Sequence, residues 1–336
     1  MKIAVLGGGC VGLTTALQLQ ENLRNSTQID VIAEDFGHTT SHVAAGIFRV
    51  SSTFSGPSEN ITKKWITDSY NYYEAISRSS EGADAGVTSI SGYMYSNNSP
   101  KFVRNEWMEN LVPIYRQATE SELKLVGGSW KYGAFLATLL TQPNQYLPWA
   151  RAKLQENGAT LIEKPVDSLK KLFEYYDLII NCTGLGARTL CNDNKMIPIK
   201  GHVWKVRTPW LKTFFYGELD TYIIPGADGI TTLGGNREFE CDDLRICPYQ
   251  MAAIRERCEK LIPSLKKAKV VGQKTGLRPY REGGVRVEAE RVWHGPYKAI
   301  VVHNYGHGGY GICMAPGTSK YVVELAKDAH KSTAKL

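Results

Sequence analysis

The stretch KIAVLGGGCVGLTTALQLQ, residues 2–20, decides the fold of this chain. A short apolar run leads into Gly7, Gly9 and Gly12, and apolar residues then recur at helical spacing. In a turn of this kind the first glycine permits the tight bend, the second admits a pyrophosphate and the third lets the helix pack against the strand. The stretch therefore predicts a strand, a phosphate-binding turn and a helix whose amino terminus favours anions.

A second predicted strand, IDVIAED at residues 29–35, supports a dinucleotide site. It ends in Glu34, which lies about 20 residues beyond the glycines, where a carboxylate can bind a ribose hydroxyl. Further βαβ units would follow in an NAD enzyme. The chain instead continues with HTTSHVAAGIFRV at residues 38–50, in which hydroxyl-bearing and then very small side chains cluster. Small residues leave room for a large flat ring, which favours FAD, although composition alone leaves an NAD dehydrogenase open.

The bulk composition bounds the remaining possibilities. The chain has 336 residues, 43% of them hydrophobic, and a net charge of +7 spread among 33 acids. No basic arm stands out, so nucleic-acid binding has little support. The seven cysteines form no C-x-x-C pair or zinc spacing, which predicts a reducing compartment and no metal. No apolar run is long enough to predict a membrane span.

The middle of the chain predicts two interleaved units of an α/β protein. DLIINCTGLGAR at residues 177–188 repeats the pattern of a buried strand followed by glycine. YIIPGADGITTLGGNREF at residues 222–239 predicts a hairpin that turns near Pro225 and Gly226. We therefore expect a Rossmann-like FAD-binding domain, discontinuous in sequence, beside a mixed-sheet substrate-binding domain. The expected ranges of the former are 1–50, 142–190 and 285–336, and those of the latter are 51–141 and 191–284.

Several motifs, in this order along the chain, carry a family resemblance. They are HVAAG (42–46), DAGV (84–87), SGY (91–93), NCTG (181–184), YIIPG (222–226), GLRPYR (276–281) and HNYGHGGYG (303–311). With these motifs the chain resembles the D-amino-acid oxidase family of FAD-dependent oxidases, and in particular its aspartate-type members. The resemblance runs from Lys2 to the last predicted helix. It implies the two-domain fold described above.

The resemblance also implies which residues contact a non-covalently bound FAD. In this family the glycine-rich stretch after the last strand lies against the flavin, which explains why four of the nine residues of HNYGHGGYG are glycine. The expected cofactor-binding residues are Gly7, Gly9, Cys10, Val11, Gly12, Glu34, Asp35, Thr39, Thr40, Ser41, Ala45, Gly46, Val166, Thr183, Gly184, Gly308, Gly309, Tyr310, Gly311 and Ile312.

Three residues are expected, by resemblance, to hold the amino-acid part of the substrate. Arg278 would bind the α-carboxylate through two parallel hydrogen bonds, unless it forms a structural ion pair instead. Tyr222 would place its hydroxyl on the same carboxylate, unless it is an ordinary strand aromatic. The carbonyl of Gly309 would accept a hydrogen bond from the substrate amino group.

The substrate side chain is expected to meet arginine. Arg237 stands where aspartate-type members carry an arginine, and it would pair with a side-chain carboxylate; the alternative is a solvated arginine paired with Glu238 or Glu240. The arginine that such members carry shortly before the YIIPG motif is missing here, where Phe215 and Tyr216 stand. Arg49 stands at a position that is usually uncharged, and it either replaces the missing arginine or faces solvent.

The reaction implied by the resemblance is oxidative deamination of acidic D-amino acids: D-Asp, D-Glu and, as a further candidate, N-methyl-D-aspartate. Hydride transfer from Cα to flavin N5 would yield an imino acid, which hydrolyses to a 2-oxo acid and ammonia, while dioxygen becomes hydrogen peroxide. No acid/base residue is expected, because hydride transfer needs positioning more than proton transfer. The alternatives are an oxidase for neutral D-amino acids and a non-catalytic FAD-binding protein.

The last three residues, Ala334-Lys335-Leu336, resemble the S-K-L type of peroxisomal address. A peroxide-producing enzyme suits that compartment. We therefore expect recognition by the peroxisomal import receptor and a peroxisomal matrix location, or a cytosolic one if the tripeptide is not read. Other expected partners are the small-molecule substrate and dioxygen, with no nucleic acid and no membrane.

Overall fold

A computed structural model describes residues 1–23, 27–51 and 54–333, without the side chains of 330–333. Its strands are β1 (Lys2–Leu6), β2 (Gln28–Ala33), β3 (Val87–Ser96), β4 (Ile114–Gln117), β5 (Tyr132–Thr141), β6 (Thr160–Glu163), β7 (Leu178–Asn181), β8 (Met196–Arg207), β9 (Phe214–Tyr216), β10 (Tyr222–Pro225), β11 (Ile230–Gly234), β12 (Glu238–Phe239), β13 (Lys269–Arg281), β14 (Arg286–His294) and β15 (Tyr297–Tyr305). Its α-helices are α1 (Cys10–Asn22), α2 (Glu59–Ser77), α3 (Pro100–Val103), α4 (Glu106–Glu109), α5 (Pro143–Glu156), α6 (Ala187–Leu190), α7 (Pro248–Leu261) and α8 (Gly311–Thr333).

One sheet carries the nucleotide-binding pattern. Within the described residues it has six strands in the order β14-β15-β7-β1-β2-β6, all parallel except β14. Its inner strands are continuous apolar runs, as expected when helices cover both faces of a parallel sheet. Gly7, with φ of +116°, makes the turn from β1 into α1. A side chain at Gly12 would collide with the carbonyl of Gly7, so the helix packs closely on the strand.

The second sheet has nine strands within the described residues. Eight follow the order β12-β8-β11-β10-β9-β3-β5-β4, and the long β13 pairs with β8 along the other side. The predicted hairpin is present as β10 and β11, closed by a hydrogen bond from the Gly226 N–H to the Ile230 carbonyl at 2.8 Å. The predicted α/β fold, a Rossmann-like unit beside a mixed sheet, is confirmed.

The expected sequence ranges separate the strands of the two sheets. Every strand of the first sheet falls in 1–50, 142–190 or 285–336, and every strand of the second in 51–141 or 191–284. The helix α2 falls in the range 51–141, yet it also packs against α8 and the first sheet. Its Trp65 packs with Tyr321 of α8, and it shares a hydrophobic cluster with the first sheet.

The start of α8 depends on α2. Pro316 lies inside α8 and has no N–H, so the carbonyl of Ile312 four residues earlier loses its helical donor. The hydroxyl of Tyr73, on α2, donates to that carbonyl at 2.7 Å. Ser69 of the same helix accepts a hydrogen bond from the Gly317 N–H at 2.8 Å. Pro316 thus lies beyond the first turn of α8, which begins at Gly311, and Tyr73 supplies the donor that the helix lacks there.

None of the described helices is both long and apolar enough to cross a bilayer. Each of the seven cysteines is a free thiol. The described residues include no group of His, Cys, Asp or Glu side chains placed to hold a metal ion.

Candidate active site

A cavity of about 750 Å³ lies where the carboxyl ends of β1, β7 and β15 meet the second sheet. Ligands of open α/β sheets bind at such ends. Most of the expected site residues line this cavity: Gly7, Gly9, Cys10, Val11, Thr39, Thr40, Ser41, Ala45, Gly46, Arg49, Thr183, Gly184, Tyr222, Arg237, Arg278, Gly308, Gly309, Tyr310, Gly311 and Ile312. The structure thus brings together segments from the two ends of the chain and from its middle.

Four of the expected cofactor residues lie outside the cavity lining. Gly12 acts indirectly, through helix packing against Gly7. Glu34 is exposed just beyond β2. Asp35 turns its carboxylate to the backbone N–H groups of Gly37 and His38, and the first of these bonds is the main reason why its pKa lies below the usual value. Val166 packs in an apolar cluster beneath the first sheet.

The amino terminus of α1 fits a phosphate. The Cys10 N–H lies 3.0 Å from the Ser41 hydroxyl, and the first turn of α1 contains no acidic residue. The partial positive charge of the helix end is therefore not neutralised by a local side chain. Gly9 has no side chain to cover these N–H groups, and Thr39 and Ser41 are the nearest hydroxyls. These features fit the pyrophosphate of a dinucleotide such as FAD.

Arg278 and Tyr222, the residues expected to hold the substrate α-carboxylate, lie on β13 and at the start of β10 in the second sheet. Arg278 donates from Nη1 to the carbonyl of Asn236 at 3.1 Å, and among the described residues no carboxylate forms a salt bridge with it. Burial raises the pKa of the Tyr222 hydroxyl, and the nearby Arg278 guanidinium opposes that rise. A charged arginine and a protonated tyrosine hydroxyl are thus both available to one carboxylate.

Three glycines make room for this pair, and sequence reasoning missed all of them. An ideal Cβ at Gly201 would lie 2.5 Å from both terminal nitrogens of Arg278. Side chains at Gly234 or Gly235 would collide with the ring of Tyr222. The GG pair of the motif GGNREF was a visible signal for close packing, whereas Gly201 carried none. By contrast, a Cβ at Gly309 would lie 3.5 Å from Arg278, an ordinary contact.

The lining of the cavity includes two further arginines, Arg237 and Arg49. Arg237 pairs with Asp220, with Nη2 2.8 Å from Oδ1, and its side chain is 55% exposed. It does not pair with Glu238 or Glu240, the partners considered from sequence. Arg49 is half-buried, with its guanidinium carbon 4.5 Å from the ring centre of Tyr216. Asp220 and Tyr216 both line the cavity and were not predicted as site residues.

The two histidines of the glycine-rich stretch are buried and neutral. His303 receives a hydrogen bond at Nδ1 from the Asn181 amide at 3.2 Å and donates from Nε2 to Glu290 at 2.9 Å. Burial lowers its pKa, and the bond to Glu290 opposes that shift. Burial also lowers the pKa of His307 to about 3, and its Nε2 lies 3.0 Å from the Thr318 hydroxyl. Both rings are therefore held by hydrogen bonds within the protein, and His307 also lines the cavity.

The buried cysteine thiols near the cavity are also unreactive as nucleophiles. Burial raises the pKa of Cys10 to about 11 and that of Cys182 and Cys313 to about 12. A thiol is a nucleophile only as its thiolate. At neutral pH these side chains fill space around the cavity and carry no charge.

The stretch at residues 303–311 supplies main chain at the centre of the cavity. Gly306 and Gly308 adopt φ of +94° and +56°, which a side chain would disfavour. The segment then enters α8 at Gly311, so the amino end of a 23-residue helix points at the cavity. A positive helix end beside a redox ring stabilises negative charge that develops on it.

Sequence comparison gives the context for this site. Residues 2–325 match the profile of the family described as FAD dependent oxidoreductase (DAO). The chain belongs to the DAO family of FAD-dependent oxidoreductases. FAD is therefore the cofactor of this oxidoreductase, as expected from its sequence, and the predicted resemblance is confirmed.

Individual relatives span the whole oxidoreductase. Human D-aspartate oxidase is 34% identical over 97% of this chain and 95% of its own length. The D-amino acid oxidase of Dugesia ryukyuensis is 29% identical over 98% of both chains. Glycine oxidase from Bacillus cereus superimposes with a TM-score of 0.78 at 18% identity, over 98% of this chain and 95% of that one. The last likeness shows the fold alone.

Proposed function

We propose that this protein oxidises acidic D-amino acids, D-Asp and D-Glu in the first place and N-methyl-D-aspartate as a further candidate. The carrying observation is that the cavity presents arginines at two separate places. Arg278 stands with Tyr222, whereas Arg49 and Arg237 lie where this cavity adjoins a smaller one that neither Arg278 nor Tyr222 lines. An amino acid with two carboxylates is the simplest ligand that satisfies both places. The 34% identity to human D-aspartate oxidase agrees with this substrate class.

The α-carboxylate is proposed to bind Arg278 and Tyr222. Arg278 has no competing carboxylate among the described residues, so its charge is free for a ligand. The guanidinium fork fixes the direction of a carboxylate as well as its position. The carbonyl of Gly309, which lies next to Arg278, would accept a hydrogen bond from the substrate amino group. These three contacts orient the Cα–H bond without any proton-transferring side chain.

The reaction is proposed as a two-electron oxidation. FAD, when bound, would supply the two-electron chemistry, with its N5 atom as the acceptor for the Cα hydride and dioxygen, reduced to hydrogen peroxide, as the final acceptor. The substrate amine must be neutral beforehand, and the resulting imino acid takes up water to give a 2-oxo acid and ammonia. His303 and His307 do not serve as bases, because both are buried and hydrogen-bonded within the protein, His303 to Glu290 and His307 to Thr318. The protein contributes orientation and electrostatics.

One observation favours a second candidate, an oxidase for neutral D-amino acids. Arg237 is already paired with Asp220 and is half-exposed. A neutral substrate would therefore leave no unpaired charge at Arg237, and the expected penalty against D-Ala at this position is small. Discrimination against neutral side chains then depends on Arg49.

A peroxisomal location is also proposed, on the C-terminal tripeptide Ala334-Lys335-Leu336, which lies outside the described residues. The import receptor would read this tripeptide. A fluorescent fusion that keeps the native C-terminus free tests the idea. We expect punctate colocalisation with a peroxisomal marker, and diffuse fluorescence once the tripeptide is removed. Diffuse fluorescence of the intact fusion would contradict it.

The substrate proposal is tested by peroxide release from the purified yellow protein with D-Asp, D-Glu, D-Ala, D-Met and L-Asp offered separately. We expect higher kcat/KM for D-Asp and D-Glu than for D-Ala or D-Met, and none for L-Asp. Preference for D-Ala or D-Met would favour the neutral oxidase. Silence on all five substrates by FAD-loaded protein would favour a non-catalytic flavoprotein.

A further inference from the structure

The side-chain part of the cavity contains its own carboxylate. Asp220 lies 2.8 Å from Arg237 through Oδ1 and Nη2, and both residues line the cavity. An acidic substrate would also bring a carboxylate to this part of the cavity. The pair therefore changes how many positive charges the cavity offers to a ligand.

The backbone holds Asp220 in position. It lies in the short connection between β9 and β10, where both Leu219 and Asp220 have φ of +56°. Its carbonyl accepts the Gly235 N–H at 2.7 Å, and the neighbouring Glu218 carboxylate accepts the Asn97 N–H at 2.7 Å. Aspartate is among the few residues that enter the left-handed region readily. The connection is thus anchored at both sides of Asp220, and the carboxylate faces Arg237.

Arg49 has no such partner. Its guanidinium packs over the Tyr216 ring, and its Nε donates to the Met94 sulfur at 3.5 Å. Among the described residues, no carboxylate forms a salt bridge with it. An aromatic face and a thioether stabilise a cation without neutralising it. Arg49 is therefore the cation of this region whose charge is unmatched.

An adjoining cavity of about 220 Å³ shares Arg49 and Arg237, and none of the described residues that line it is acidic. It adds Lys101, which is exposed, and Arg104, which pairs with Glu109 at 3.1 Å. The exposed lysine is screened by water and contributes little. The charge balance close to the substrate side chain thus consists of two arginines and one aspartate, a net charge of one.

We propose that Asp220 is a specificity-determining residue: it satisfies Arg237 from within the protein, so that Arg49 supplies the one positive charge that selects an acidic side chain. This inference rests on the proposed function and refines it. An acidic side chain brings one negative charge and completes the balance. A neutral side chain leaves Arg49 unmatched, and that cost falls on D-Ala and similar substrates.

The test compares the binding of malonate, which has two carboxylates, with that of propionate, which has one. Binding is measured as the rise in melting temperature that each ligand causes in the FAD-loaded protein. Turnover of D-Asp and D-Ala is measured in parallel. The variants are Arg49→Met, Arg237→Gln, Asp220→Asn and the double variant Arg237→Gln/Asp220→Asn. Retention of FAD shows that each variant is folded.

The charge balance fixes the expected order. The malonate preference is the ratio of the affinity for malonate to that for propionate. Arg49→Met and Arg237→Gln each lower this ratio by about tenfold, because each leaves a net charge of zero around the substrate side chain. Asp220→Asn raises the preference. The double variant regains the preference lost in Arg237→Gln, since Arg49 is then again the only charge. A double variant no better than Arg237→Gln would overturn the inference and make Arg237 the direct ligand.

A matched control uses another exposed pair, Arg188 and Asp242, which lie 3.6 Å apart outside the cavity. Their single and double substitutions should leave the malonate preference unchanged.

The experiment distinguishes a failure of the proposed function from a failure of this inference. Absence of turnover on every D-amino acid would sink the function, while the order of malonate binding among the variants decides the inference independently.

Discussion

The guanidinium of Arg278 occupies the space that a side chain at Gly201 would fill. An ideal Cβ at position 201 would lie 2.5 Å from both terminal nitrogens. Gly201 belongs to β8 and Arg278 to β13, and the two strands pair along their length. The absence of one side chain on β8 therefore lets the arginine lie flat on the sheet with its fork at the cavity.

Replacing Gly201 by alanine should damage substrate binding more than stability. The colliding atoms are the far end of a flexible side chain, which can move aside at small energetic cost. The displaced fork then no longer meets the substrate carboxylate, so we expect kcat/KM to fall by about tenfold or more for every D-amino acid. Steady-state kinetics measure this effect. Gly272→Ala, on β13 with nothing within 4 Å of its ideal Cβ, is the control and should leave kinetics unchanged.

Replacing Arg278 by lysine should show whether two parallel hydrogen bonds are needed. Lysine keeps the charge but cannot present a planar fork. We expect kcat/KM to fall on the order of 100-fold, equal to the loss of one strong charge-assisted hydrogen bond. The flavin spectrum and melting temperature should not change. Wild-type kinetics in Arg278→Lys would mean that Arg278 does not hold the α-carboxylate.

Replacing Tyr73 by phenylalanine should destabilise the junction of α2 and α8. The hydroxyl of Tyr73 is the donor for the Ile312 carbonyl, which Pro316 leaves without a helical partner. A buried unsatisfied carbonyl costs roughly 1 to 3 kcal/mol in free energy of unfolding. Denaturant unfolding of the holoprotein measures it. Tyr70→Phe is the control on the same helix, because its hydroxyl has no hydrogen bond within the described part of the chain; equal losses in the two variants would contradict the role of Tyr73.

His307 should make the protein sensitive to acid. Its pKa falls from 6.5 in the unfolded chain to about 3 in the folded protein because of burial. The unfolded state therefore binds more protons between these values, so the stabilisation is complete above pH 6.5 and declines as the pH falls toward 3. The slope is about 1.4 kcal/mol per pH unit for one group.

Unfolding of His307→Gln at several pH values checks this sign. Glutamine keeps a polar side chain and does not titrate, so the free energy of unfolding should depend less on pH than in the wild type throughout that interval. Parallel pH profiles of the two proteins would show that His307 does not titrate on unfolding.

The sequence predicted the parts of the fold that depend on local pattern. The Gly7 turn, the hairpin after Tyr222 and the glycine-rich entry to α8 each combine a chain bend with residues that permit it. The two-sheet organisation followed from three separate strand-to-glycine exits.

The sequence could not predict contacts between side chains that are far apart in the chain. Nothing in the motif around Arg237 shows that Asp220, which precedes the motif by a whole hairpin, would become its partner. The collision that Gly201 avoids depends on the pairing of β8 with β13. Glu34 and Asp35 occupy the expected positions in sequence, yet their side chains lie outside the cavity lining because the chain turns at residues 35–38.

The most direct measurement is anaerobic mixing of the purified FAD-loaded protein with D-Asp, D-Ala and L-Asp, followed by readmission of oxygen. We expect D-Asp to bleach the flavin faster than D-Ala, L-Asp to leave it oxidised, and oxygen to restore the colour with one peroxide per 2-oxo acid. Bleaching by D-Ala without any by D-Asp would contradict an oxidase for acidic D-amino acids.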